Sequence, residues 1–286
     1  MVARVIATIN LKGGVGKTTT TAALGEFMAA EFGQRVLLVD LDPQTNLTTM
    51  MIGEERWREL NELGRTLATL FQRAVEPDAD AFDIDKALQH DVSPVTAVRG
   101  VDLLASSLDL MEIQEGLSFQ QYADPRSQRP IEVLHSALEP IADDYDYILV
   151  DCPPNLGMLT LNGLRAADGY IVPTIPDILS TYGIPQLQQR VEKFSDRTGH
   201  SIRELGLVIT KYRSASNLHR TIIEQLQRDD RIANVVPAWI PEANQIAASA
   251  EFVPYGTLKR KYGGAGQFDA LRMLTETILM NAQVYL

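Results

Sequence analysis

The sequence predicts an α/β fold in which a mostly parallel, twisted sheet carries helices on both faces. Three observations predict it. Short β-branched runs recur along the chain, at residues 2–9, 35–40, 101–106, 147–150, 169–173 and 205–210. Stretches with apolar residues at helical spacing separate them, as with Leu24, Phe27 and Met28. Strands that alternate with helices build right-handed βαβ units on a parallel sheet. No internal repeat, linker or low-complexity tract interrupts this order, so residues 1–286 are expected to form a single domain.

The first strand leads into Lys12-Gly13-Gly14-Val15-Gly16-Lys17-Thr18-Thr19, and a helical pattern follows from Thr20. Strand, glycine loop and helix form the context of a phosphate-binding loop, which makes the fold P-loop NTPase-type. Glycines let backbone N–H groups turn inward toward a polyphosphate. The helix N-terminus adds partial positive charge. Lys17 can reach the terminal phosphates, and the Thr18 hydroxyl can coordinate Mg²⁺. The common pattern G-x-x-x-x-G-K-[ST] places its first glycine at position 11, where this chain has Leu11. Lys12 instead stands before the glycine pair, a second cation in a loop that already has one.

The second strand ends in Asp40, and Leu41-Asp42-Pro43-Gln44-Thr45-Asn46 follows. Open parallel sheets bind ligands at this carboxyl end. A carboxylate here can hold the water shell of Mg²⁺ or orient an attacking water. Helical patterns at 55–63, 66–72 and 84–90 flank an acidic stretch holding Glu76, Asp78, Asp80, Asp83, Asp85 and Asp91. That stretch reads as a solvated face or loop, or a contact for a partner or cargo protein. After the strand at 101–106 a short helix begins near Leu108. An amphipathic segment at 131–141 then leads to the strand 147–150, with Asp151 at its end. A buried strand ending in aspartate is the Walker B arrangement. With Lys17, Thr18 and Asp40 it completes a magnesium nucleotide site. A helix is expected at 159–167, a long helical segment with Leu187, Val191 and Phe194 on its core face from Asp177, and an edge strand or extended edge at 235–241, which carries two prolines. Gly263-Gly264-Ala265-Gly266 follows no strand and reads as the start of the last helix.

Composition narrows the classes. The chain has 26 basic and 37 acidic residues, a net charge of −11, which argues against a surface basic all over for nucleic acid. No apolar run is long enough to span a bilayer, and the N-terminus lacks the shape of a signal peptide. Cys152 is the one cysteine, which excludes an internal disulfide framework and fits a reducing cytoplasm.

Lys12 to Thr18 resembles the deviant Walker A motif K-G-G-x-G-K-[ST], the mark of the ParA/MinD family of ATPases. Residues 40–46 resemble that family's switch I, and residues 145–157 its switch II. The resemblance implies that Lys12 reaches the partner subunit's nucleotide across a homodimer, and that Lys17 and Asp42 serve hydrolysis, Asp42 by positioning water. It implies a nucleotide cradle of Lys12, Gly13, Gly14, Val15, Gly16, Lys17, Thr18 and Thr19, with Thr210, Lys211 and Pro241 bordering the base. Thr18, Asp40 and Asp151 would serve the metal, so ATP and Mg²⁺ are the expected cofactors.

Among relatives with this loop, an iron–sulfur member needs cluster thiolates that a single cysteine cannot supply. A bacterial tyrosine kinase of this lineage ends in a tyrosine cluster, whereas this tail has only Tyr285. A MinD-like membrane switch, the alternative reading, needs a basic amphipathic C-terminal helix, and no lysine or arginine follows Arg272. The resemblance therefore points to a ParA-type positioning ATPase for a plasmid, a chromosome or a protein organelle such as a carboxysome. Such a protein dimerises with ATP and binds nonspecific DNA, so it is cytoplasmic and nucleoid-associated. A ParB-like or cargo-adaptor partner stimulates its hydrolysis. Candidate phosphate contacts are Lys193, Arg197, Lys211, Arg213, Arg220, Arg228, Arg231 and Lys259-Arg260-Lys261. The phosphate loop begins too early for an N-terminal helix-turn-helix domain, so operator reading is not expected.

Overall fold

The computed structural model describes residues 3–286 apart from 77, 124–128, 230, 231 and 233, and only the backbone of Arg129. In chain order the elements are β1 (Arg4–Thr8), α1 (Lys17–Phe32), β2 (Val36–Asp40), α2 (Asn46–Glu62), α3 (Leu67–Val75), α4 (Ile84–Ala87), β3 (Val101–Leu104), α5 (Leu110–Ala123), α6 (Val133–Leu138) and β4 (Tyr147–Asp151). They continue with α7 (Met158–Ala166), β5 (Gly169–Thr174), α8 (Ile178–Tyr182), α9 (Ile184–Thr198), β6 (Arg203–Ile209), α10 (Asn217–Arg228), α11 (Asn244–Ala248), α12 (Leu258–Tyr262) and α13 (Gln267–Tyr285).

The strands form one sheet in the order β3-β2-β4-β1-β5-β6, and every pairing in it is parallel. Alternate residues of a strand face opposite sides. Val36 and Leu38 pack with Ile6, Tyr147 and Leu149 beneath α1, α2, α12 and α13. Leu37 and Val39 pack with Ala7, Ile148 and Val150 beneath α3, α5, α6, α7, α9 and α10. Burial on both faces is why these strands read as continuous apolar runs rather than alternating ones.

The segment beginning at Asp177 is two helices. Gly183 separates α8 from α9, and Pro185 lies in the first turn of α9, where its missing N–H costs nothing. The amphipathic 131–141 segment breaks into a 3₁₀ turn at Arg129–Ile131, then α6, then a second 3₁₀ turn at Glu139–Asp144 that Pro140 begins. Residues 235–241 extend the sheet edge only by isolated bridges, Leu207 with Val235 and Tyr212 with Pro241. Residues 217–228 form α10, capped by Ser216, whose short apolar face of Ile222, Ile223 and Leu226 is a weak periodic signal.

One buried ion pair ties the phosphate-loop helix to the far end of the chain. Glu26 in α1 and Lys261 in α12 are both fully buried, with Lys261 Nζ 2.9 Å from each Glu26 carboxylate oxygen. The Tyr262 hydroxyl donates to Glu26 Oε2 at 2.6 Å, and the Ser93 hydroxyl to Oε1 at 2.6 Å. Burial holds the Lys261 ammonium below the usual lysine range, against the pull of Glu26. Lys261 is therefore no DNA contact, which corrects its reading as a candidate phosphate contact. Lys261→Ala strands a buried carboxylate and is expected to lower unfolding stability by about 3–5 kcal/mol in urea titration. The double variant Glu26→Leu/Lys261→Met should recover most of that loss.

Candidate active site

Loops after β1, β2 and β4 meet at the carboxyl edge of the sheet. Strand register places Asp40 beside Asp151, and Asp151 beside Thr8. Gly14 (φ 73°) and Gly16 (φ 86°) hold left-handed backbone that side-chain-bearing residues rarely adopt. Gly16 is the N-cap of α1 and brings no side chain to the first turn, so the helix N-terminus stays open toward an anion. The Lys17 ammonium is buried, 3.5 Å from the Lys12 carbonyl oxygen. Burial lowers its pKa, while Asp151 and Asp42 pull it back up.

Asp151 is fully buried. Its Oδ2 accepts from the Thr18 hydroxyl at 2.7 Å, and its Oδ1 from Thr21 at 3.4 Å. Burial pushes its carboxyl up to about 7. Asp40 is equally buried and also raised, first by desolvation and then by the charge of Asp151. Its oxygens accept from Thr48 N at 2.8 Å, the Thr48 hydroxyl at 2.7 Å and Asp42 N at 3.1 Å. Asp40 therefore anchors the whole 42–48 segment. Asp42 accepts from Gln44 N at 3.0 Å, and its carbonyl from the Ser106 hydroxyl at 2.7 Å. Burial likewise raises the Cys152 thiol, which agrees with a packing role.

Asp151 and Asp42 thus face one ammonium, with Asp40 buried beside Asp151. That imbalance fits a divalent cation, and the Thr18 hydroxyl with hard carboxylate oxygens is a donor set suited to Mg²⁺ beside phosphate oxygens and water.

A cleft of about 600 Å³ opens from this point. Gly13, Gly14, Gly16, Lys17, Thr18, Thr19 and Asp42 line one end, and Thr210, Lys211 and Pro241 line the other. Val15 is buried beneath, its carbonyl accepting from the Thr210 hydroxyl at 2.7 Å. Asp40 and Asp151 sit behind the cleft wall. The cleft also uses residues the motifs do not mark, among them Thr49, Met50 and Ala247.

Lys12 is held in its own chain. Its ammonium lies 2.7 Å from the Ser180 hydroxyl and 3.2 Å from Asp177 Oδ2, at the N-terminus of α8. Neither partner stands out in sequence, since Asp177 with Ser180 reads as an ordinary helix cap. Of the candidate cations, Lys193, Arg197, Lys211, Arg213, Arg220, Arg228, Lys259 and Arg260 are exposed. Arg213 pairs with Glu242 and Arg228 with Glu224, and Arg231 lies outside the described residues.

A family model described as AAA domain matches residues 3–204. The chain is also 34% identical over 257 residues to the chromosome partitioning protein ParA of Caulobacter vibrioides, across 87% of this chain and 84% of that one. It belongs to the ParA/MinD family of ATPases. Two uncharacterized proteins of Mycobacterium tuberculosis share 39% identity over 210 residues, and the match covers 73% of this chain but only 58% of their length. The crystal structure of cobyrinic acid a,c-diamide synthase from Mycobacterium smegmatis, with bound ATP analog and magnesium, has a similar fold. Its TM-score is 0.75 at 29% identity, covering 97% of this chain and 94% of that one. Among the described residues, no helix is long and apolar enough to cross a membrane.

The raised Asp151 carboxyl gives a pH signature. Below an unfolded-state pKa of about 4 both states hold the proton, and stability is unaffected. As pH rises toward 7 the unfolded chain releases it first, so this group's contribution to stability is lost. Thermal midpoints of nucleotide-free protein in chelator should therefore fall less steeply between about pH 4 and 7 for Asp151→Asn than for the parent.

Proposed function

We propose that this chain is an ATP-dependent dimerising switch of one domain that binds nonspecific DNA and partitions or positions cargo, with hydrolysis stimulated by a cargo-bound partner. The observation that carries the reading is the cleft itself. It gathers Lys17, Thr18 and Asp42 around an open helix N-terminus, with Asp151 behind and Lys12 on the same loop. The relative named for chromosome partitioning and the similar structure with bound ATP analog and magnesium support it.

In this reading the loop amides and Lys17 hold the β- and γ-phosphates of ATP. Thr18, backed by Asp151 and with Asp40 behind, would hold Mg²⁺, which supplies charge neutralisation at the phosphate oxygens. Asp42 orients a water in line with the γ-phosphorus. The water oxygen bonds to phosphorus as the bond to the β–γ bridging oxygen breaks, and ADP leaves with inorganic phosphate. Thr210, Lys211 and Pro241 border the base.

Lys12 completes the partner subunit's site. To cross, it must exchange Asp177 and Ser180 for the partner subunit's nucleotide. The resting chain therefore holds its own crossing residue at the cost of one exposed ion pair. With ATP bound, dimerisation creates a DNA surface from the exposed cations on α9, α10 and the loop after β6, contacting phosphates without reading bases.

Lys17→Ala is expected to abolish ATP binding and ATP-dependent dimerisation by calorimetry and light scattering; normal activity in that variant would sink the ATPase reading. Asp42→Ala should bind ATP, accumulate as the dimer and retain DNA at low salt, with hydrolysis largely lost. Retention on anionic vesicles but not on DNA would replace the reading with the membrane alternative. Asp177→Asn keeps the helix cap but removes the charge that holds Lys12. It should shift the monomer–dimer equilibrium in ATP toward the dimer by about two- to fivefold, read by sedimentation. An unchanged equilibrium would show that the cis pair does not oppose dimerisation.

A further inference from the structure

The outward side of α5 exposes large apolar side chains, as those of α8 and α13 do, but among the described residues only the α5 side borders an acidic groove. Met111, Phe119 and Tyr122 lie on one side at helical spacing, with Leu108 in the turn just before and the exposed Glu115 between Met111 and Phe119. All four apolar side chains are exposed, Phe119 to 73% and Tyr122 to 85%. The opposite side, with Leu110, Ile113 and Leu117, is buried, and the helix packs against α3 and α7. The outer stripe contributes nothing to that packing, and a run of large apolar side chains left in water marks an interaction surface.

Beside the stripe runs an acidic groove of about 790 Å³ between α3 and α5. Glu112 lines it from α5, Asp109 from the turn before that helix, and Glu76, Asp78 and Asp80 from the segment after α3. The C-terminus of α3 also ends here and adds the negative end of its dipole. Gly116 sets the distance between the helices, since a Cβ there would stand 2.8 Å from Val75 Cγ1. Gln120 fixes it by donating to the Ala74 and Val75 carbonyls at 3.2 Å each. Arg73, a cation on α3, is turned to the Ala79 carbonyl.

An apolar stripe flanked along one side by carboxylates is complementary to a helix with one apolar face and a basic border. We infer that α5 and the α3–α5 groove form the docking surface for a basic amphipathic segment of a partner protein. The stripe takes its apolar face, and Glu76, Asp109 and Glu112 take its lysines or arginines.

The same helix touches both loops of the nucleotide site. The turn that opens α5 holds Ser106, whose hydroxyl donates to the Asp42 carbonyl and whose N–H donates to the Thr48 hydroxyl at 2.9 Å. On its inner side Gln114 abuts the turn after Asp151. Its buried Oε1 has no hydrogen-bond partner and lies 2.6 Å from where a Cβ on Gly157 would stand. A segment pressed on α5 therefore bears on residues 42–48 and 155–157 together. This second half of the inference rests on the ATPase reading, whereas the docking surface does not.

The test uses the full chain and two fluorescent amphipathic peptides, one of lysine and leucine, the other of glutamate and leucine. Anisotropy should show the lysine peptide bound to the parent chain, weakening as salt is raised. Met111→Ser/Phe119→Ser should weaken it by at least about tenfold. Asp109→Lys/Glu112→Lys should weaken it comparably and gain affinity for the glutamate peptide. These positions are exposed or line the groove, and circular dichroism checks that each variant is folded. Failure of the lysine peptide to bind, or equal binding to all variants, overturns the docking surface. A nucleotide-free dimer of the parent that Met111→Ser/Phe119→Ser dissolves also overturns it, because the stripe would then seat a second copy. For the second half, saturating lysine peptide should alter ATP hydrolysis by the parent chain and not by the stripe variant. Binding without any change in hydrolysis overturns the coupling alone. If Lys17→Ala hydrolyses ATP normally, the ATPase reading fails while the anisotropy result stands.

Discussion

The site depends on buried carboxyl groups crowded at the carboxyl ends of adjacent strands. Asp40 and Asp151 are neighbours in the sheet register, and both are fully removed from water. Desolvation alone would make such a pair prohibitive, so each oxygen is given donors. Thr18 and Thr21 serve Asp151, and Thr48 with the Asp42 N–H serves Asp40. Every bond that makes the charge tolerable also fixes a loop. The phosphate loop is tied to β4 through Thr18, and the segment after β2 is folded back on its own strand through Thr48. The remaining imbalance against a single Lys17 is what a bound cation would relieve.

Much of this was legible in the sequence because it is contiguous. Strands buried on both faces appear as unbroken apolar runs, and the glycine loop sits between a strand and a helix with no gap. Asp40, Asp42 and Asp151 could be placed at strand ends by position alone. What could not be read are pairings that only the fold creates. Lys12 and Asp177 are 165 residues apart, and Asp177 is locally an ordinary cap. Ser106 reads as a turn residue until its hydroxyl is seen on the Asp42 carbonyl. Lys261 was misread for the opposite reason: a Lys-Arg-Lys run looks solvated, and the clue lay far away, in Glu26, set between Gly25 and Phe27 in the buried middle of α1. The helix break at Gly183 was available from Gly-Ile-Pro and shows that turn chemistry can override periodicity.

Charge is sorted by element rather than spread evenly. Carboxylates crowd the segment from the end of α3 to β3, whereas exposed cations gather on α9, α10 and the loop after β6. Several of those cations already hold carboxylate partners, as Arg213 holds Glu242 and Arg228 holds Glu224. Exposed pairs of this kind are weak and easily exchanged for phosphate. A net charge of −11 thus coexists with a local concentration of exposed cations.

The pairing of Glu26 with Lys261 also has a bearing on the order in which the molecule can be made. The two residues are 235 positions apart, and the carboxylate lies in the helix that carries the phosphate loop. During synthesis that helix leaves the ribosome long before its counter-charge exists. Until then the glutamate must stay hydrated, so α1 cannot settle fully onto the sheet. The segment that carries Lys261 must therefore be made before α1 can bury Glu26 with its charge paired.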